Sequence, residues 1–128
     1  MMRRNFSILW SLILAIVFIS GCSTNDLDPD SSSVTTANIQ IYNENNLIKE
    51  ENVEIDEQSV LLDVLQREFE VEVTEDGFIT SIEGYDQNKE KSKYWLYTVN
   101  DEMPSVGVND YIIQDQDQIV LELKVITE

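Results

Sequence analysis

The chain has 128 residues, with 25 Asp+Glu, 8 Lys+Arg, no histidine and a net charge of −17. That balance argues against nucleic acid as a partner, because holding a phosphate backbone requires a basic patch. Without histidine the commonest general base is missing, and the Ser-His-Asp and Cys-His nucleophile systems with it; the single cysteine leaves no internal disulfide.

Arg3 and Arg4 precede a nearly unbroken apolar run from Phe6 to Ile19, interrupted only by Ser7 and Ser11. A spanning helix needs roughly 20 apolar residues, so this run has the length of a signal-peptide core instead. It ends in Ile19-Ser20-Gly21-Cys22, which resembles the lipobox of bacterial lipoprotein precursors. Residues 1–21 are therefore expected to be removed, leaving Cys22 as a lipidated N-terminus. One acyl chain binds a membrane only marginally, whereas the two of a diacylglyceryl group anchor stably. The expected location is the extracytoplasmic face of the cell membrane, with the lipid as the membrane contact. Loss of Arg3 and Arg4 leaves 6 cations against 25 acids, or −19, and the bland reading of that charge is solubility.

Residues 22–37 contain Asp26, Asp28, Pro29, Asp30 and Ser31-Ser32-Ser33. They hold too little apolar surface to offset the entropy of ordering and are expected to form a disordered tether. Its flexible reach would be about 20 Å. Residues 38–128 have the size of one small domain. Ile39 and Ile41 alternate with polar neighbours, Asn43 to Asn46 reads as a turn, and Leu47 to Ile55 as a second strand. Ser59 is a candidate N-cap for an amphipathic helix that places Val60, Leu61, Val64, Leu65 and Phe69 on one face. Val71 and Val73 alternate up to Asp76-Gly77, a pair that predicts a type I′ hairpin leading into Phe78-Ile79. Tyr94 to Asn100 is a fourth strand, rich in aromatic and β-branched residues. Tyr111 to Ile113 is a short one, and Ile119, Leu121, Leu123 and Val125 alternate strictly in the last. Mainly antiparallel hairpins packed on one helix predict an α+β, β-grasp-like fold.

Carboxylates are so abundant that no acid/base pair stands out, and Gly77, Gly84 and Gly107 form no phosphate-cradling cluster. No enzyme is expected. Asp26-x-Asp28-x-Asp30 opens like an EF-hand loop, yet Ser31 stands where glycine should, and Ala37 where the bidentate acid should. No metal site is expected there, and Asp115-Gln116-Asp117 reads as a surface turn.

Five segments carry a resemblance to a known family: Ser59–Leu65, Gly77–Gly84, Lys93–Asn100, Ser105–Tyr111 and Asp115–Ile119. In this order and spacing the chain resembles the transcobalamin-like C-terminal domain (DUF4430-type) found in bacterial lipoproteins. The family usually has glycine where this chain has Asp101 and Gln116, so those two turns are expected to differ from the family's in detail. In the vertebrate cobalamin carriers such a domain closes over a corrin ring held mainly by a large helical domain. That helical domain is missing here, so the resemblance implies a lid rather than a complete cobalamin site. No cofactor is expected of this domain alone, although a separate partner could supply the missing wall.

The resemblance places Trp95 and Tyr97 in the aromatic strand, with Met103, Val106 and Tyr111 after it, nearest a ligand. Each also has a packing interpretation, with Trp95 in the core and Met103 and Val106 capping it. The resulting expectation is a non-enzymatic module for a small molecule or a surface protein. The alternative is a structural or assembly lipoprotein that docks on a membrane complex through its sheet edge or acidic face.

Overall fold

The computed structural model describes residues 34–127; the predicted leader, Cys22 and most of the predicted tether lie outside them. Strand β1 (Thr35–Asn43) pairs antiparallel with β2 (Asn46–Ile55). The helix α1 (Leu61–Glu68) follows, then the short strands β3 (Val71–Val73), β4 (Ile79–Ile82) and β5 (Tyr85–Asp86). A single 3-10 turn, Lys89–Lys91, leads into β6 (Lys93–Val99), and β7 (Gln118–Val125) ends the domain. The large sheet has the order β2-β1-β7-β6 and the small one β3-β4-β5. At the centre of the large sheet β1 and β7 run parallel, while every other pairing is antiparallel. This is the expected α+β, β-grasp-like arrangement, with one helix against one mixed sheet.

Alternation along the strands explains which face meets the helix. Ala37, Ile39 and Ile41 from β1, Val53 and Ile55 from β2, and Ile119, Leu121 and Leu123 from β7 are all buried. All of these but Leu123 share one core cluster with Leu61, Val64, Leu65 and Phe69, the apolar face read from the sequence. Val125 continues the alternation but is exposed at the strand end. On β1 and β2 the opposite sheet face is largely polar. There Asn38 donates to Glu50 (2.9 Å) and to Asn52 (3.1 Å), and Gln40 donates to Glu50 (3.0 Å). Those donors hold the Glu50 carboxyl below its usual range, the Gln40 bond contributing most.

Three expectations need correction. First, β1 begins at Thr35, and Ala37 is buried, so the folded domain starts three residues before Asn38. Thr35, Thr36 and Ala37 are held by pairing with Ile55, Glu54 and Val53, a long-range partner that local polarity does not report. Second, Ser59 does not cap the helix. Its hydroxyl accepts from Asp56 N–H and donates to Asp56 Oδ1, both at 3.0 Å, and the N-cap is Val60. The free donors of the first turn are met instead by distant carbonyls. Leu61 N–H donates to Tyr111 O (2.8 Å) and Leu62 N–H to Val108 O (2.9 Å). The isolated bridge Val60–Ile112 occurs where a strand was expected at Tyr111–Ile113.

Third, the Asp76-Gly77 hairpin is not type I′, because only Gly77 has positive φ (82°). Gly77 N–H donates to Thr74 O (3.0 Å) and Thr74 N–H to Phe78 O (2.9 Å). A three-residue loop closed by a left-handed glycine is the bulged alternative to the two-residue turn. Two positive φ angles do occur at Glu44-Asn45 (48° and 70°) and at Asn100-Asp101 (52° and 66°). Asp101 and Gln116 (66°), which stand where the family usually has glycine, thus adopt the left-handed backbone that glycine suits.

Candidate ligand-binding groove

β6 forms one edge of the large sheet, and its sequence sets two faces. Trp95, Tyr97 and Val99 oppose Leu123, Leu121 and Ile119 across β7, so their side chains share the core face. Val99 is buried, whereas Trp95 and Tyr97 are half-buried, since no further strand covers this edge. The Trp95 indole N–H donates to Tyr85 O (3.1 Å) and so ties the large sheet to the small one.

Beside this edge lies a groove of about 460 Å³, within the size range of small-molecule sites. Trp95, Tyr97 and Leu121 line its core side. The β3–β4 hairpin supplies a second wall through Asp76 to Ile79, and the loop after β6 a third through Met103, Pro104 and Gly107 to Asp110. Phe78 and Met103 are 70% and 67% exposed, a large investment of apolar surface in water. The walls meet closely at Asn109. A Cβ on Gly77 would stand 3.1 Å from Asn109 Cβ, and one on Gly107 2.7 Å from its Oδ1.

A polar network holds the loop that frames the groove. Asp117, buried despite the expectation of a surface turn, accepts from Tyr111 OH (2.7 Å), Gln114 N–H (2.8 Å) and Asn100 Nδ2 (2.9 Å). The Asn100 Oδ1 in turn accepts from Gln118 N–H (2.9 Å). Burial first, then the Asp117 bond and charge, push the Tyr111 phenol far above its ordinary value. Tyr97 hydroxyl donates to Val106 O, and its ring meets Tyr111 edge-on at 6.3 Å. Burial also raises the Tyr97 phenol, with the nearby Asp110 charge adding to it.

Of the residues singled out from sequence, Trp95, Tyr97 and Met103 come together in the groove. Val106 and Tyr111 do not line it; they brace it through Tyr97, and Tyr111 through Asp117 as well. Neither Met103 nor Val106 caps the core, a role taken by buried Val108. Phe78 was missed as a site residue. An aromatic directly after a Gly-containing hairpin tip was the available signal, but its neighbour across the groove is more than 20 positions away in sequence. Among the described residues no three His, Cys, Asp or Glu side chains gather as a metal site would require, and no helix is long and apolar enough to cross a membrane.

A small α+β module with an apolar groove at one sheet edge is thus the class that fold and site define. The chain belongs to the family described as "Domain of unknown function (DUF4430)", whose model matches residues 58–124. Comparison with curated protein sequences finds no match. Among solved structures, the chain is similar to a proposed metal-binding protein from Ruminococcus gnavus ATCC 29149. The TM-score there is 0.58 at 23% identity, covering 73% of this chain and 99% of that one. It is also similar to haptocorrin in complex with Cbi, with a TM-score of 0.62 at 22% identity. That match covers 73% of this chain and only 25% of haptocorrin. At such identities these likenesses establish the shared fold.

Proposed function

We propose that this protein is a non-enzymatic binding module, carried at the extracytoplasmic face of the membrane on a lipidated Cys22, and that the groove beside β6 takes a small molecule. The observation that carries this reading is the groove itself, where half-buried Trp95 and Tyr97 face exposed Phe78 and Met103 across open space. Apolar surface left in water at a concave site is stabilised when a ligand covers it. The fold shared with haptocorrin, which was solved with Cbi, supports the choice of a corrinoid as first compound to try. Affinity is expected to be weak, because the match accounts for a quarter of haptocorrin and the groove is open on one side.

The test uses the full chain in detergent with Trp10→Phe, which leaves Trp95 as its only tryptophan. Cobinamide, with its absorbance corrected for, should shift Trp95 emission to the blue and shield it from acrylamide. Phe78→Ala should weaken the response about tenfold, the expected loss for uncovering one aromatic side chain. Leu47→Ala, also exposed (49%) but in β2 away from the groove, should not alter it. Emission unchanged at every cobinamide concentration removes the corrinoid; an identical response from Phe78→Ala removes the groove. The anchor is tested separately. Cys22→Ala should abolish incorporation of labelled fatty acid, since no other thiol exists, and persistent labelling would refute lipidation there.

A further inference from the structure

The bonds made by β6 assign the direction of its backbone groups. Asn100 N–H donates to Gln118 O (2.8 Å) and Ile126 N–H to Ser92 O (2.9 Å), so the even-numbered residues between them face β7. The odd-numbered residues face away from it. Lys93 exchanges two bonds with Asn88 (2.8 and 2.9 Å), and Val99 two with Glu102 (2.8 and 3.0 Å). Between these closed ends stand Trp95 and Tyr97, both in the groove lining. Their backbone N–H and C=O groups make no hydrogen bond to any other described residue.

We infer that these four backbone groups are the polar half of the groove, and that its ligand is a compact amide-bearing molecule, neutral or cationic. The inference rests on the binding reading above and names the chemistry of the ligand. Two N–H and two C=O groups repeat at about 7 Å, the two-residue strand spacing, which an amide matches by offering one donor and one acceptor together. Asp76 and Asp110 line the groove, and no lysine or arginine does, so an anionic group would meet only repulsion. Compactness follows from the closed ends. Strand addition by a polypeptide draws on a long open edge, whereas this window ends at Asn88 on one side and Glu102 on the other.

The full-length protein, 15N-labelled in detergent micelles, allows a direct test. The probes are acetyl-leucyl-alanine N-methylamide, its analogue with an ester in place of the Leu–Ala amide, the free acid acetyl-leucyl-alanine, and a ten-residue peptide containing Leu-Ala. The amide probe should shift the Trp95 and Tyr97 backbone N–H resonances and slow their hydrogen exchange. The ester and the free acid should each bind about fivefold more weakly, the loss expected for one hydrogen bond or one repulsive charge. The ten-residue peptide should bind no more tightly than the short amide. Unmoved backbone resonances at Trp95 and Tyr97, or equal affinity of ester and amide, overturn the amide pairing. Tighter binding of the free acid overturns the charge selection, and a tenfold gain for the long peptide overturns compactness in favour of a polypeptide. The Trp95 indole N–H resonance reports occupancy independently. If it moves while the backbone resonances do not, the groove reading survives and the amide inference falls.

Discussion

Along β2 the large sheet ends in Lys49, Glu50, Glu51 and Glu54, whereas along β6 it ends in Tyr94, Trp95, Leu96 and Tyr97. Both are edges with backbone groups on offer, which in isolation invite pairing with another chain. The β2 edge is guarded by charge and by the helix. Arg67 donates to Glu54 O (3.0 Å), and the Lys49 ammonium sits 4.9 Å from the Phe69 ring centre, near Glu51 and Glu83. The β6 edge carries no such charges between Lys93 and Val99. It is bordered instead by the β3–β4 hairpin and the Met103–Asp110 loop, which leave a groove in place of a flat edge. One edge is thus blunted, and the other is enclosed but left accessible. That contrast favours binding at β6 over docking through the sheet edge at β2.

The largest expected effect comes from dismantling the frame of the β6 side. Asp117→Ala removes the acceptor of three hydrogen bonds at a buried site. It should cost roughly 3 kcal/mol, since stranded buried donors bear their full desolvation penalty. Chemical denaturation measures this, and groove affinity should fall with it because residues 100–117 position the loop. A wild-type midpoint would show that the loop is held by other means.

Gly77→Val should cost about 2 kcal/mol, the range for a strained left-handed position. Its side chain would also press on Asn109 across the groove. Asn45→Val, at φ 70° in the β1–β2 turn, imposes similar strain far from the groove. The pair sharpens the comparison: both should lower the midpoint, and only Gly77→Val should weaken binding. Equal effects on binding would mean that the β3–β4 hairpin is no wall of the site.

The smallest effect belongs to the charged edge. Arg67→Ala loses one exposed contact to Glu54 O and an exposed ion pair to Glu68. Such surface pairs contribute under about 1 kcal/mol, so the midpoint should shift slightly and groove binding not at all. A loss of binding would tie the two edges together and break the contrast drawn between them.

Much of this fold could be read along the chain, because side-chain periodicity reports which face of each element is apolar. The helical face from Leu61 to Phe69, the alternation of Ile119, Leu121 and Leu123, and the turn at Glu44-Asn45 all follow from local pattern. The aromatic strand was legible too, read as Tyr94 to Asn100 against the observed Lys93–Val99, and with it Trp95 and Tyr97. Periodicity does not say which strand lies beside which. The parallel pairing of β1 with β7 joins residues about 80 positions apart, and only the shared core selects it. Other features depended on partners equally remote in sequence. Ser59 lost the helix cap because carbonyls of Val108 and Tyr111 reach the first turn. Asp117 is buried because Asn100 and Tyr111 converge on it. Phe78 became a wall because the hairpin tip and the Met103 loop meet beside β6. Local pattern determined the elements and their apolar faces; tertiary structure decided strand order, capping and the groove, since each of these is made by residues that meet only when the chain has folded.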